Sequence, residues 1–428
     1  MEKKLEDYIN GLDVPEEKLD DAIYSGFQKA KREKARLKGK KWWLSVAFVA
    51  VLVLGFFTSI RVSPAFANYV AEIPGMEKIV ELIRHDKGMM TAIENDYYER
   101  IGISEKKNGI EVVIDGVIAD ENGLVLFYTI NSDEKQTEIM MDNVVLKNAD
   151  GKEAEHYSLT YGGPHYSEKG EKSFNGAIEY FFPEKPLLDR ELQLEIEIRG
   201  ENYSFPLSLK SDIKVKKTYP INQTVTIEGQ KIHILDATVY PLRVAVHVKM
   251  DPKNTKKLLE LEDLRLVDEN GEAWTKIKDG VTGSEISDNE RIYYLQSNYF
   301  KEPKELYLTL NKIQAVDKDY ANVIVDFEKG EILKQPRGNR IRDIELSQHH
   351  IRFDFYSAEE FPYQLISEAK DVNGRYIDIE STSWEGYQDG HTNIRIGLSN
   401  LSSYTNPISL KLSYFPEWIQ GEAKIRIK

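Results

Sequence analysis

The feature that most constrains the fold is a long series of short segments in which apolar and polar residues alternate, from about residue 104 to the end of the chain. Such alternation places every second side chain on the same face, which predicts strands with one buried face. Turn sequences rich in Asn-Gly and Asp-Gly separate these segments, and no helical pattern lies between them. The chain is therefore predicted to be mainly β, with strands at 109–114, 124–130, 192–198, 231–234, 244–248, 306–310, 351–355 and 408–412.

A weak internal repeat divides this β region into three parts. Asp115, Asp236 and Asp343 stand at corresponding positions, each just ahead of an apolar strand. A turn of the form Asp/Asn-x-x-Gly follows in each part, at 148–151, 268–271 and 371–374. Each part has the size of an immunoglobulin-like sandwich, about 100 residues. We therefore expect about three immunoglobulin-like β-sandwich domains, at 105–215, 216–336 and 337–428.

One segment near the N-terminus has a different character. Residues 42–60 (WWLSVAFVAVLVLGFFTSI) contain no charged side chain, and a helix of this length comes close to spanning the roughly 30 Å bilayer core. Eight Lys and Arg side chains crowd into the preceding residues 29–41. By the positive-inside rule, this pattern predicts one transmembrane helix in the cell membrane, with a cytoplasmic N-terminus and an extracellular C-terminus.

The segments on either side of the apolar run are predicted to be helical. Residues 1–41 are expected to form a short cytoplasmic amphipathic helix with a basic collar, in which Leu19, Ile23 and Phe27 share one apolar face. About 40 residues cannot bury such a face alone, so it binds either lipid headgroups, a second copy or a cytoplasmic protein. Residues 61–104 are expected to form a helical neck.

A secretory cleavage site is the rival interpretation of the apolar run. Ala65 and Ala67 form an A-x-A pattern just beyond it, which makes them candidate processing residues. A signal peptide has an apolar region of only about 7–15 residues and a short N-terminal segment, whereas 41 residues precede this run. A retained anchor is therefore the favoured interpretation.

Composition excludes several classes of function. The chain has 428 residues, a net charge of −14 and no cysteine, which excludes disulfide scaffolds, cysteine-ligated zinc and thiol nucleophiles. The acidic balance argues against nucleic acid as a partner. Ser104 to Lys107 and Ser287-Asp288-Asn289 match two elements of serine acyl enzymes, but the Lys-Thr-Gly element is missing. We predict no enzymatic activity and no catalytic residue.

Neither a metal nor a cofactor is predicted. His349 and His350 are adjacent, and in a strand their side chains would point to opposite faces. Exposed aromatic side chains on loops offer a different possibility, because they can stack on sugars or bind a peptide. The alternative is that these rings pack over the edges of the sandwiches. The candidate ligand contacts outside the membrane are Tyr161, His165, Tyr166, Trp384 and Tyr387.

The layout of the chain resembles a family of membrane-anchored anti-sigma regulators of Gram-positive, bacillus-like bacteria. The similarity rests on the short helix, the basic collar, the single apolar span, Ser63 to Ala67 and Ile73-Pro74-Gly75. It implies that the cytoplasmic segment sequesters an extracytoplasmic-function sigma factor. It also implies that a β-rich ectodomain of unknown function, with an immunoglobulin-like domain at its C-terminus, senses the state of the cell envelope.

Two functions follow as alternatives. The first is a single-pass membrane regulator that sequesters a sigma factor through Leu19, Ile23 and Phe27, without the His-x3-Cys-x2-Cys zinc motif of other anti-sigma domains. The second is a cell-surface binding or spacer protein, in which the sandwiches hold a ligand-binding tip and the N-terminal segment is only an anchor. An unidentified extracellular ligand belongs to both.

Overall fold

The structure is a computed structural model that describes residues 75–183, 186–187, 189–210, 214–277 and 281–428. The chain divides into two compact units, Met1–Ala67 and Asn68–Lys428, and the described residues all belong to the second. The predicted cytoplasmic helix, the apolar span, Leu19, Ile23, Phe27, Ala65 and Ala67 lie outside the described residues.

Two short helices open the described part. Helix α1 (Met76–Ile83) buries Met76, Ile79 and Ile83, which lie on one face because they are three and four residues apart. Helix α2 (Lys87–Glu94) begins at Asp86, whose side chain accepts a hydrogen bond from Met89 N at 2.9 Å. The first strand begins at Glu99, so the predicted helical neck over 61–104 is too long at its C-terminal end.

Among the described residues, eight strands form sandwich 1. One sheet has the order β1-β2-β3-β6-β5 and the other has the order β4-β7-β8, and both contribute to one core. The strands alternate as the sequence predicts; in β7 every second residue is buried. The strands are β1 (Glu99–Lys107), β2 (Ile110–Ala119), β3 (Gly123–Ile139), β4 (Asn143–Asn148), β5 (Ser158–Tyr161), β6 (His165–Phe181), β7 (Glu191–Ile198) and β8 (Glu201–Ser208).

Sandwich 2 follows with the same plan. Its first sheet has the order β15-β16-β11-β10-β9, which corresponds to the first sheet of sandwich 1. In its second sheet, β12 and β13 run one after the other along the same edge of β17, and β14 pairs with β13. The strands are β9 (Lys217–Ile227), β10 (Gln230–Val239), β11 (Arg243–Met250), β12 (Lys256–Leu261), β13 (Arg265–Asp268), β14 (Ala273–Trp274), β15 (Gly283–Ser287), β16 (Glu290–Gln296) and β17 (Leu306–Asp317).

Sandwich 3 has one sheet of order β19-β18-β26-β22-β23 and another of order β20-β21-β25-β24. Short 3₁₀ helices at Lys318–Tyr320 and Leu401–Ser403 flank some of its strands. The last strand, β27 (Trp418–Arg426), does not join this sandwich but pairs with β17 of sandwich 2. The strands of sandwich 3 are β18 (Asn322–Asp326), β19 (Glu331–Lys334), β20 (Ile341–Leu346), β21 (His350–Tyr356), β22 (Ile366–Asp371), β23 (Tyr376–Ile377), β24 (Ile379–Gln388), β25 (His391–Leu398) and β26 (Ile408–Leu412).

The sequence repeat has a structural counterpart in all three sandwiches. Asp115, Asp236 and Asp343 lie in β2, β10 and β20, and in each strand the pairing register shifts at or beside the aspartate. A residue inserted at such a bulge bends the strand and increases its local twist. The later turns also agree, because Asp268 and Asp371 each accept backbone hydrogen bonds at 2.8–2.9 Å from residues two and four positions further on.

The membrane part of the predicted fold is corrected. Among the residues that the structure describes, no helix is long and apolar enough to cross a membrane. Helices α1 and α2 have eight residues each, so each spans about 12 Å, well short of the roughly 30 Å of a bilayer core. The predictions of a transmembrane helix, a single-pass topology and a cell-membrane localisation are corrected by this finding. The described part of the chain is mainly β, with two short α-helices at its start.

Candidate functional site

The predicted aromatic residues of sandwich 1 lie where β5 ends and β6 begins. Tyr166 is 72% exposed, whereas Tyr161 packs partly against the core. The His165 ring is half-buried, with its Nε2 atom 2.9 Å from the hydroxyl of the fully buried Tyr128. Burial lowers the pKa of His165 below its usual value of 6.5, since it disfavours the charged ring. Only Tyr166 presents an open aromatic face here.

The predicted aromatic residues of sandwich 3 lie on β24, an edge strand of its sheet. Trp384 is 55% exposed, while the Tyr387 hydroxyl donates a hydrogen bond to Ser357 O at 3.1 Å. The two aromatic sets therefore belong to different sandwiches, and the structure does not assemble the five predicted residues into one site. No cluster of His, Asp and Glu able to hold a metal ion occurs among the described residues.

The most distinctive polar site was missed by the sequence analysis. It joins sandwich 1, sandwich 2 and the two helices, and we call it the joint. Two equivalent turns meet there, the β2–β3 turn of sandwich 1 and the β10–β11 turn of sandwich 2. The joint consists of His85, Asp86, Gly88, Asp120, Phe181, Leu242, Arg243, Tyr294, Gln296 and Ser297.

Asp120 links the two turns directly. Its carboxylate has no exposed surface, accepts a hydrogen bond from Asn122 N at 2.8 Å and accepts another from Leu242 N of sandwich 2 at 2.9 Å. Burial raises the pKa of Asp120, and these backbone N–H groups together with the charge of Arg243 oppose that rise. The turns pack closely, since a Cβ at Gly123 would lie 2.9 Å from a terminal methyl carbon of Leu242.

Arg243 is the cation of the joint. It is 3% exposed, and its guanidinium carbon lies 4.3 Å from the ring centre of Phe181 in sandwich 1 and 5.5 Å from that of Tyr294 in sandwich 2. A cation over two aromatic faces is attracted by both rings, more strongly when water is excluded. Within the described part of the chain, its Nε and Nη1 atoms have no hydrogen-bond partner. The rings and the nearby carboxylates therefore stabilise this charge.

The helices are fixed to the same place. The Gln296 side chain at the end of β16 donates a hydrogen bond to His85 O at 2.7 Å. Asp86 lies near Arg243, and burial raises the pKa of its carboxyl group. On the other side, Lys78 of α1 donates a hydrogen bond to Ser173 Oγ of β6 in sandwich 1 at 3.2 Å. The helices thus contact both sandwiches, around a cavity of about 150 Å³ that Met89, Leu242 and Arg243 help to line.

Gly88 allows the close approach of α2 to sandwich 2. A Cβ atom at this position would lie 2.6 Å from the backbone nitrogen of Ser297. We expect Gly88→Ala to displace the helix and to lower the free energy of unfolding by about 1–3 kcal/mol, as overpacking commonly does. Gly386→Ala is the matched control, since no atom lies within 4 Å of a Cβ there. Urea denaturation measures both, and equal stabilities would contradict the packing described.

The arrangement of the joint can couple the positions of sandwich 1, sandwich 2 and the two helices. Its charges are buried and held by backbone groups and aromatic rings, and it connects three elements that are distant in sequence. One signal in the sequence could have revealed it: Arg243 is a charged residue at the head of the apolar strand 244–248. A cation buried at such a position needs partners from another element.

Comparisons with known proteins show that two parts of the chain match the models of uncharacterised families. Residues 37–132 match a domain of unknown function (DUF4179), and residues 216–335 match a family of unknown function (DUF5643). The first match overlaps the region on which the anti-sigma resemblance rests, and neither family has an assigned function. A search of the curated proteins gave no match.

A solved structure similar to part of this chain is described as the crystal structure of the conserved domain protein from Bacillus anthracis. The two are 14% identical, and the alignment covers 55% of this chain and 84% of that one. The TM-score is 0.39, so we base no argument on this similarity.

Proposed function

We propose that the chain is a regulatory protein of anti-sigma type. In this proposal the N-terminal segment with Leu19, Ile23 and Phe27 binds a sigma factor, and the sandwiches receive the signal that controls this binding. The observation that supports it best is the set of contacts of the two helices, which follow the N-terminal segment in sequence. They are bonded to sandwich 2 at the joint and to sandwich 1 through Lys78.

The apolar face of the N-terminal segment supports the first half of the proposal. Leu19, Ile23 and Phe27 recur at four-residue steps, the pattern with which an amphipathic helix fills a groove on a partner. A segment of about 40 residues gains too little from its own core to bury such a face alone. A sigma factor is the partner that the family resemblance suggests.

The contacts of α1 and α2 support the second half. His85 accepts a hydrogen bond from Gln296 of sandwich 2, Gly88 packs closely against Ser297, and Lys78 is bonded to sandwich 1. A ligand that changes the angle between the two sandwiches must therefore also shift the helices. Such a shift gives the sandwiches a physical route to the preceding segment, as a two-state regulator requires.

Co-purification from the native cell tests the proposal. We expect the full chain to recover a sigma factor, and Leu19→Ser/Ile23→Ser/Phe27→Ser to recover none, because burial of the three apolar side chains supplies most of the binding energy. Lys18→Ser/Asp21→Ser/Gln28→Ser changes neighbouring polar positions of the same segment and should leave recovery intact. Failure of the unmodified chain to recover any sigma factor would contradict the proposal.

A binding or spacer protein is the second candidate, and the exposure of Tyr166 and Trp384 supports it. Exposed rings on two different sandwiches can each stack on a sugar or a peptide. The same triple serine variant separates the candidates. If it changes no gene expression and no partner recovery, the N-terminal face has no regulatory role and the binding or spacer function is favoured.

A further inference from the structure

The sandwiches differ in the strand that completes the sheet containing β7, β17 or β26. In sandwich 1, β7 is followed by a tight turn at Arg199-Gly200, and β8 then pairs along β7 from Glu191↔Ser208 to Ile198↔Glu201. We call β8 the closing strand of sandwich 1, because it lies beside β7 at the edge opposite β4. Sandwich 1 thus closes with the strand that comes next in the chain.

Sandwiches 2 and 3 do not follow this rule. In sandwich 2, β17 takes the place of β7, yet the next strand, β18, does not pair with it. The strand beside β17 is β27, at the C-terminus of the chain. In sandwich 3, β26 takes the place of β7, and β18 pairs with it at the edge opposite β22.

We infer that sandwiches 2 and 3 exchange their closing strands, and that the edge of β17 covered by β27 is a strand-acceptor site. Its ligand class is an extended peptide with apolar residues at alternate positions, and in the intact chain residues 418–426 occupy it. The inference is independent of the proposed function.

The side chains of β27 match the acceptor edge. Ile419, Ala423 and Ile425 are at most 7% exposed and belong to the core of sandwich 2. The outward side chains also have partners, since Lys312 lies 4.4 Å from the ring centre of Trp418 and Lys424 lies 4.1 Å from that of Tyr307. Backbone pairing supplies affinity in strand addition, and pockets for alternate side chains supply specificity.

The two links that connect sandwich 2 with sandwich 3 are short and lie side by side. The link from β17 to β18 spans 318–321, and the link from β26 to β27 spans 413–417. The Lys256 ammonium group is 2.9 Å from a carboxylate oxygen of Asp317, beside the first link, and 3.4 Å from one of Glu417 in the second. Neither connection therefore needs a long loop to reach the other sandwich.

The family match adds an independent observation. The family of unknown function covers 216–335, which includes β9 to β19 but not β27. The strand that closes sandwich 2 therefore comes from outside the matched segment. Within that segment, β18 could close sandwich 2 only by leaving β26.

Engineered cysteine pairs test the exchange, because the chain has no cysteine of its own. Lys312→Cys/Gln420→Cys joins register partners on β17 and β27, and Ile324→Cys/Ser409→Cys joins partners on β18 and β26. We expect both pairs to form disulfides under mild oxidation in the full chain. The pair Lys312→Cys/Ile324→Cys, on β17 and β18, should form no disulfide. If this pair forms a disulfide and the first two pairs do not, the exchange is overturned.

A peptide experiment tests the acceptor site. A protease site is inserted in the full chain between Ser413 and Glu417, cleaved, and a fluorescent peptide of residues 418–428 is added. We expect the labelled peptide to replace the cleaved strand, and the peptide with Ile419→Asp and Ile425→Asp to show no binding at the same concentration. Two results would overturn the proposed acceptor site. One is equal binding of both peptides, and the other is dissociation of the cleaved strand without binding of the labelled peptide.

Discussion

Asp120→Ala is expected to lower the free energy of unfolding by about 3 kcal/mol at neutral pH. The substitution removes the acceptor for two backbone N–H groups, those of Asn122 and Leu242, in a place without exposed surface. Each buried donor left without a partner costs about 1–3 kcal/mol. Relief from burying a carboxylate offsets part of this cost. Urea denaturation measures the change, and Asp120→Asn is the matched control because its amide oxygen retains one acceptor.

The free energy of unfolding should also depend on pH differently in the unmodified protein and in Asp120→Asn. Burial raises the pKa of Asp120 in the folded protein above its ordinary value of 3.8, so the folded state holds the proton to higher pH than the unfolded state does. Its contribution to stability is therefore fully present below pH 3.8 and is lost as the pH rises through the folded-state pKa. We expect this fall to be absent in Asp120→Asn. Parallel curves for the two proteins across that range would contradict the burial of this carboxyl group.

Ile425→Asp is expected to have the largest effect on stability, a loss of about 4 kcal/mol or more. Ile425 is 4% exposed and faces the core of sandwich 2, so a carboxylate there is buried without a partner. Lys424→Asp introduces the same residue at an exposed position of the same strand. The control should lose at most about 1 kcal/mol, the value of its contact with the Tyr307 ring.

The region that Ile425→Asp destabilises shows whether β27 belongs to sandwich 2 or to sandwich 3. Hydrogen exchange should show lost protection first in β9 to β17 of sandwich 2, because β27 pairs with β17. Strands β20 to β25 of sandwich 3 should remain protected, although they lie closer to residue 425 in sequence. Loss of protection confined to sandwich 3 would contradict the pairing of β27.

The sequence was informative about periodic and local features. Alternation predicted the strands, and the repeat of Asp115, Asp236 and Asp343 agrees with bulges in three equivalent strands. Phe353 and Phe355, alternate residues of the predicted strand 351–355, are each 1% exposed. These features depend on residues near one another in the chain, which is why a pattern can reveal them.

The features that were missed depend on pairing between distant residues. In the sequence Asp120 stands in a turn that contains Asn122-Gly123, and its bond to Leu242 joins positions 122 residues apart. The partner of β27 was equally hidden, since a two-residue period states which side chains share a face but not which strand lies alongside. The same limit explains why the five predicted aromatic contacts do not form one site. The sequence does not specify which sheet edges lie together, and the structure places these residues on two sandwiches: Tyr161, His165 and Tyr166 on the first, Trp384 and Tyr387 on the third.

The central claim is that the N-terminal segment binds a sigma factor, and a titration tests it most directly. The full chain, the triple serine variant of Leu19, Ile23 and Phe27, and the polar control at Lys18, Asp21 and Gln28 are each titrated with the co-purified sigma factor. We predict that the serine variant binds at least about 100-fold more weakly, or about 2.7 kcal/mol, while the control binds like the unmodified chain. Equal dissociation constants for all three would contradict the account.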